Sequence, residues 1–150
     1  MNLYTKEKLI ASCVNLTDLV ELNNSNNGSV TISEYGGRIL GLFPKSDEIN
    51  LLWVNPKIKE IIQSKERAIG GDRYWISPER DFFYKDPTTW SNWFCPPSLD
   101  PGNYEILAHD QHSCTVSSAI SLMNQRTKQK ISGEITRQFS IVKEPIDTGI

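Results

Sequence analysis

The chain has 150 residues, 38% of them hydrophobic and 23% charged, with a formal net charge of -2. That is enough material for one core, so one domain or part of one is expected. The slight acidity excludes a protein that gathers nucleic acid through phosphate contacts, which needs a basic face, and no apolar run approaches the ~18 to 20 residues of a membrane span.

Residues 1–27 read as an N-terminal extension or edge strand. Met1 to Ser12 lacks a long hydrophobic segment followed by a small-residue cleavage site, so a cytoplasmic protein is expected. The glycosylation sequons Asn15-Leu16-Thr17 and Asn27-Gly28-Ser29 are then chance matches. Ser29 to Glu34 and Arg38 to Phe43 read as two short strands around Tyr35-Gly36-Gly37, and Asn50 to Val54 as another. Only Lys57 to Glu66 carries helical character, with Ile58, Ile61 and Ile62 on one side after Pro56, which predicts a short surface helix. Ser77 to Gly102 is rich in proline and aromatic residues and reads as one long ordered loop, pinned by rings such as Phe82, Phe83, Tyr84, Trp90 and Trp93. Tyr104 to Ala108 is expected to pair with the next strand. Cys114 to Leu122 and Ile131 to Ile141 alternate apolar and polar residues on either side of the polar turn Asn124 to Lys130, which predicts a long hairpin. The chain is therefore expected to be mainly β, an antiparallel β-sandwich.

Gly70-Gly71-Asp72-Arg73-Tyr74-Trp75-Ile76-Ser77-Pro78-Glu79-Arg80 concentrates glycines, opposite charges and aromatics in one short stretch. Adjacent glycines allow close approach to backbone or ligand. Arg73 offers a planar fork suited to vicinal hydroxyls or a carboxylate, or else pairs within the chain with Asp72, Glu79 or Asp81. Trp75 either stacks on a sugar ring or packs on a strand, and Glu79 and Arg80 either bind ligand or bridge locally. Trp90 and Trp93 form an aromatic wall or anchor their loop. The resulting substrate-binding candidates are Arg73, Trp75, Glu79, Arg80, Asp72 and Trp93. Arg137 interrupts an apolar face, so it lines a cleft or meets a carboxylate such as Glu105. His109 and His112 are expected to face water, and Cys13, Cys95 and Cys114 to be reduced thiols. No residue pattern calls for a metal or a cofactor.

In order, Glu34-Tyr35-Gly36-Gly37-Arg38-Ile39-Leu40-Gly41-Leu42, Asn50-Leu51-Leu52-Trp53-Val54-Asn55-Pro56, Gly70-Gly71-Asp72-Arg73-Tyr74-Trp75 with Pro78-Glu79, and the strand Ile131 to Val142 resemble the galactose mutarotase-like superfamily, the aldose 1-epimerase relatives. The resemblance spans about Gly28 to Pro145 and implies a large antiparallel supersandwich, of which this chain is the N-terminal part, with a sugar in an open β-sheet cleft. That family opens the sugar ring with a carboxylate base and an imidazole acid. Here Ile69 stands before Gly70 where typical aldose epimerases carry a histidine, and neither His109 nor His112 matches a catalytic position, so catalytic residues stay unassigned. Three functions remain open: an epimerase-like carbohydrate-active domain, a non-catalytic sugar-binding module, and an interaction protein that pairs, for example as a homodimer, through an open sheet edge.

Overall fold

A computed structural model describes residues 4–45 and 49–142. The elements run α1 (Lys6–Cys13), β1 (Leu19–Asn23), β2 (Ser29–Ser33), β3 (Arg38–Phe43), α2 (Ile58–Gln63), α3 (Glu79–Phe83), β4 (Tyr84–Asp86), β5 (Ser91–Trp93), β6 (Glu105–His109), β7 (Ser113–Met123) and β8 (Lys130–Ser140). All pairing between strands is antiparallel, in the sheets β1-β2-β3, β4-β5 and β6-β7-β8. The chain is thus mainly β, as its alternation predicts.

The alternation also decides which faces meet. Val20, Leu22 and Ile32 of the first sheet share a core with Cys114, Val116, Leu122 and Ile135 of the third. On the other face of the first sheet, Leu40 and Phe43 pack with Leu9 and Cys13 of α1 and Ile58 and Ile62 of α2. Two sheets in a sandwich-like arrangement therefore carry a helical layer outside. Because β2 is covered on both faces, its polar alternates Ser29, Thr31 and Ser33 are buried as well.

Several expectations need correction. Residues 1–27 contain a helix as well as the edge strand β1. The side chain of Thr5 caps α1 by accepting from the Lys8 amide at 3.3 Å, and only Leu9 and Cys13, one turn apart, bury its inner side. Asn50 to Val54 is not a strand, and Val54 makes a single bridge to Gly70. Beside one backbone bond from the Leu51 amide to the Leu42 carbonyl (2.9 Å), the Asn50 side chain does the pairing: its oxygen accepts from the amides of Leu42 (2.9 Å) and Leu52 (3.0 Å), and its amide donates to the Leu40 carbonyl (2.8 Å). One side chain thereby satisfies edge groups of β3 that a ladder would otherwise occupy.

Ser77 to Gly102 is likewise not a single loop, since it holds α3 and the β4-β5 hairpin. Pro78 stands at the N-cap of α3, whose Phe82 and Phe83 are buried and anchor the segment, while Trp90 and Trp93 stay largely exposed. The long hairpin pairs in register from Ser113↔Ser140 to Met123↔Lys130. Its expected apolar face is packed only over the half near the core: Ile135 is buried, but Ile131 is 44% exposed. The continuation through Glu144, Pro145, Ile146 and Asp147 lies outside the described residues.

The cysteines are free thiols. Burial pushes the Cys13 thiol up to about 11 from an ordinary value of 9.0. It also raises Cys95, Cys114, Tyr35 and Tyr104. Above the unfolded thiol value the native chain holds more protons than the unfolded one, so stability falls as pH rises through that window. The melting temperature is expected to hold to about pH 8 and to drop between about pH 9 and about pH 11, with a shallower drop in Cys13→Ala. An alkaline slope identical in the variant would show that Cys13 contributes nothing to it.

Candidate functional site

The Gly70-Gly71 pair fixes where the motif's side chains go. Both residues have positive φ, +97° and +72°, and a Cβ on Gly71 would stand 2.2 Å from the Ile39 carbonyl oxygen. Only glycine permits that approach. It brings the next residue against β3, where the Asp72 amide donates to the Ile39 carbonyl (3.0 Å) and the Asp72 carboxylate accepts from the Ile39 amide (2.5 Å). Arg137 of β8 donates to the same carboxylate and, at 2.7 Å, to the Gly37 carbonyl. Arg137 is therefore paired, but with Asp72 and not with Glu105. This contact ties the two sheets together.

Beside it lies a deeper pair. Arg38 of β3 and Asp100, each 2% exposed, form a charge-assisted hydrogen bond, and Arg38 also donates to the Gly70 carbonyl at 3.2 Å. Burial pulls the Arg38 guanidinium down from its ordinary value, and the Asp100 carboxylate opposes that shift. Arg38 Nε and Asp100 Oδ2 are buried without a hydrogen-bond partner among the described residues. Arg73 Nε stands 3.8 Å from that Asp100 oxygen, so the interaction is electrostatic and falls short of a hydrogen bond.

Beyond Arg73 the chain runs on in irregular conformation, and Trp75 leaves as a stacking ring without any strand beneath it. Its indole lies 4.1 Å from the buried ring of Phe83 at an interplanar angle of 12°. Trp93 of β5 is nearly parallel to the same Phe83 at 6.5 Å. The Trp93 indole N–H donates to Glu79 at 3.4 Å, and the Arg67 guanidinium lies over the Trp93 ring at 4.7 Å. Trp75 and Trp93 remain 37% and 41% exposed. Arg67 also lines a recess of about 390 Å³, together with Lys65, Glu66, Cys95 and Asp100.

The predicted site residues thus divide. Trp75, Glu79 and Trp93 come together around Phe83, and Arg73 points back toward Asp100, a partner outside the three carboxylates the sequence suggests. Asp72 is engaged with β3 and β8. Arg80 turns to Asp81 (3.2 Å), which also forms an ion pair with Arg126 (3.1 Å), and lies over Trp90 at 6.0 Å. His109 and His112 are exposed at the β6-β7 turn. Among the described residues, no group of three or more His, Cys, Asp and Glu is arranged to hold a metal ion, and no helix is long and apolar enough to cross a membrane.

Residues 7–147 match the profile of DUF6786, a family of unknown function. The chain belongs to that family. No curated protein and no solved structure matches it. In this DUF6786 chain, sequence reasoning passed over two residues of the site. Arg67 sits in a mixed-charge run that reads as a solvated surface, and Asp100 lies far from Arg38 in sequence, inside a proline-rich stretch. An unpaired Arg38 following the Gly36-Gly37 turn was the available signal that a distant carboxylate had to exist.

Removing one member of a buried pair leaves an uncompensated charge. Arg38→Met is expected to destabilise the protein by roughly 3 to 5 kcal/mol, and Arg38→Met with Asp100→Leu by clearly less, measured by urea denaturation. Equal losses in the single and double variants would show that the two charges are not coupled.

Proposed function

We propose that this chain recognises a carbohydrate or sugar derivative on the surface made by Trp75, Trp93, Glu79 and Arg73. The observation that carries this is the pair of half-exposed indoles set nearly parallel to one buried phenylalanine, with the Glu79 carboxylate at the Trp93 N–H and the Arg67 guanidinium over the Trp93 ring. Flat apolar rings match the C–H face of a pyranose, while charged groups at the edge match its hydroxyls. The resemblance to galactose mutarotase-like proteins supports the same assignment and the same supersandwich architecture. A cytoplasmic location agrees with three free cysteines. Binding is the activity assigned, because no described histidine stands near the aromatic surface.

Calorimetry against glucose, galactose, common disaccharides and sugar acids tests the proposal. At least one should bind, and Trp75→Ala should weaken it roughly 2- to 12-fold, the loss expected of one ring contact. A panel without a single binder would refute a sugar site. Proton NMR of freshly dissolved glucose or galactose separates recognition from epimerase activity, since only the latter speeds anomer interconversion.

A second assignment, pairing with another copy, draws on β8. Its outer edge has no strand partner among the described residues, and Lys130 to Glu134 are exposed on both faces. Two copies aligned antiparallel about Ser132 would set Lys130 of each opposite Glu134 of the other, an attractive cross-strand pair. Sizing chromatography should then show a dimer that Lys130→Glu returns to monomer. A wild-type chain that elutes as a monomer at high concentration rules this out.

A further inference from the structure

The charge around the aromatic surface is not balanced. Arg38 is matched by Asp100 and Arg137 by Asp72. Arg73 keeps only the far oxygen of a carboxylate that Arg38 already neutralises. Arg67 is half-buried, and its guanidinium lies over the face of Trp93 with no ion pair among the described residues. A half-buried guanidinium without a carboxylate carries a desolvation cost that an anion would relieve. Lys65 adds a third cation at the rim of the recess, against Glu66 and Glu79, which are exposed, the latter already accepting from Trp93.

Both arginines adjoin Asp100: Arg67 lines the same recess as that residue, and Arg73 Nε stands 3.8 Å from its Oδ2. That Asp100 oxygen is buried without a hydrogen-bond partner among the described residues, as is Nε of its partner Arg38. This is a polar cluster with hydrogen-bonding capacity left over, which native interiors rarely tolerate without a partner.

Resting on the sugar assignment above, we propose that the ligand is an acidic sugar: its ring lies on Trp75 and Trp93, and its carboxylate or phosphate ester sits between Arg67 and Arg73. Guanidinium forks suit either acid, because both present paired oxygens. A neutral sugar would satisfy the rings and leave the two cations as they are.

Calorimetry on the full 150-residue chain decides this with galactose and glucose, their uronic acids, their 6-phosphates, and inorganic phosphate as probes. The acidic sugars are expected to bind about tenfold or more tightly than the neutral parents, the value of a hydrogen bond to a charged group. Uronic acid against sugar phosphate identifies which acid is preferred. Raising salt from about 0.05 M to about 0.3 M should weaken the acidic sugars alone. Arg67→Gln and Arg73→Gln should each erase the preference, whereas Trp75→Ala should weaken neutral and acidic sugars together. Neutral and acidic sugars binding alike, with no salt effect, overturns the inference and leaves the sugar site standing. Inorganic phosphate binding as tightly as any sugar phosphate, with Trp75→Ala unchanged, makes this a bare anion site and overturns both. Absence of any binding also overturns both, and the salt titration of the wild-type chain holds even if a variant fails to fold.

Discussion

Opposite charges sealed between the layers govern this molecule more than any single strand does. Arg38 and Asp100 are both almost wholly inaccessible, and an ion pair taken out of water adds little net stability, because desolvation nearly cancels its attraction. Its consequence is geometric. Once Arg38 is buried on β3, the segment carrying Asp100 must close over it, and the Gly70 carbonyl must come within 3.2 Å to accept another of its protons. Irregular chain from two distant places is thereby fixed to one sheet. Asp72 and Arg137 repeat the device between the first and third sheets, with better access to solvent.

Those two pairs set the direction in which the following residues leave. Gly71 lies so close to the Ile39 carbonyl that no side chain fits, and Asp72 locks onto the Ile39 backbone from both its amide and its carboxylate. Arg73, Tyr74 and Trp75, which follow directly, are exposed. Phe83, buried at the end of α3, catches the Trp75 ring, and the β4-β5 hairpin returns Trp93 to the same platform. Both indoles are thereby set nearly parallel to Phe83, Trp93 by the hairpin in which the Phe94 amide donates to the Phe83 carbonyl at 2.8 Å, and Trp75 from irregular chain.

Much of the sandwich is legible in the sequence because period-two alternation is a local signal. It finds β2, β3, β6, β7 and β8, and the polar turn between the last two. The helix α1 escapes it, since eight residues with only Leu9 and Cys13 buried carry almost no periodic contrast. Asn50 to Val54 misleads for the opposite reason: the apolar residues are there, but Asn50 satisfies β3 through its side chain, leaving Leu51 and Trp53 exposed. The site is legible by residue type alone. Trp75, Glu79 and Trp93 can be suspected from composition and Phe83 as a ring that pins the segment, whereas Asp100, the carboxylate that Arg73 meets, follows from tertiary closure that no spacing rule spans.

The same closure explains why Arg73 and Arg67 differ from the other arginines of the site. Arg38 and Arg137 lie on strands, at positions where a carboxylate from another segment is held to meet them by backbone hydrogen bonds. Arg73 lies just past the last such bond, and Arg67 in the turn before the glycines, so neither has a carboxylate delivered to it by the fold. Each rests against whatever is near: an already neutralised Asp100, or an indole face worth on the order of 1 kcal/mol to a cation. The structural arginines Arg38 and Arg137 each hold a carboxylate and are largely shielded, while those bordering the aromatic surface are more accessible and undercompensated. That division separates the residues that hold the surface in place from those free to meet something that arrives on it.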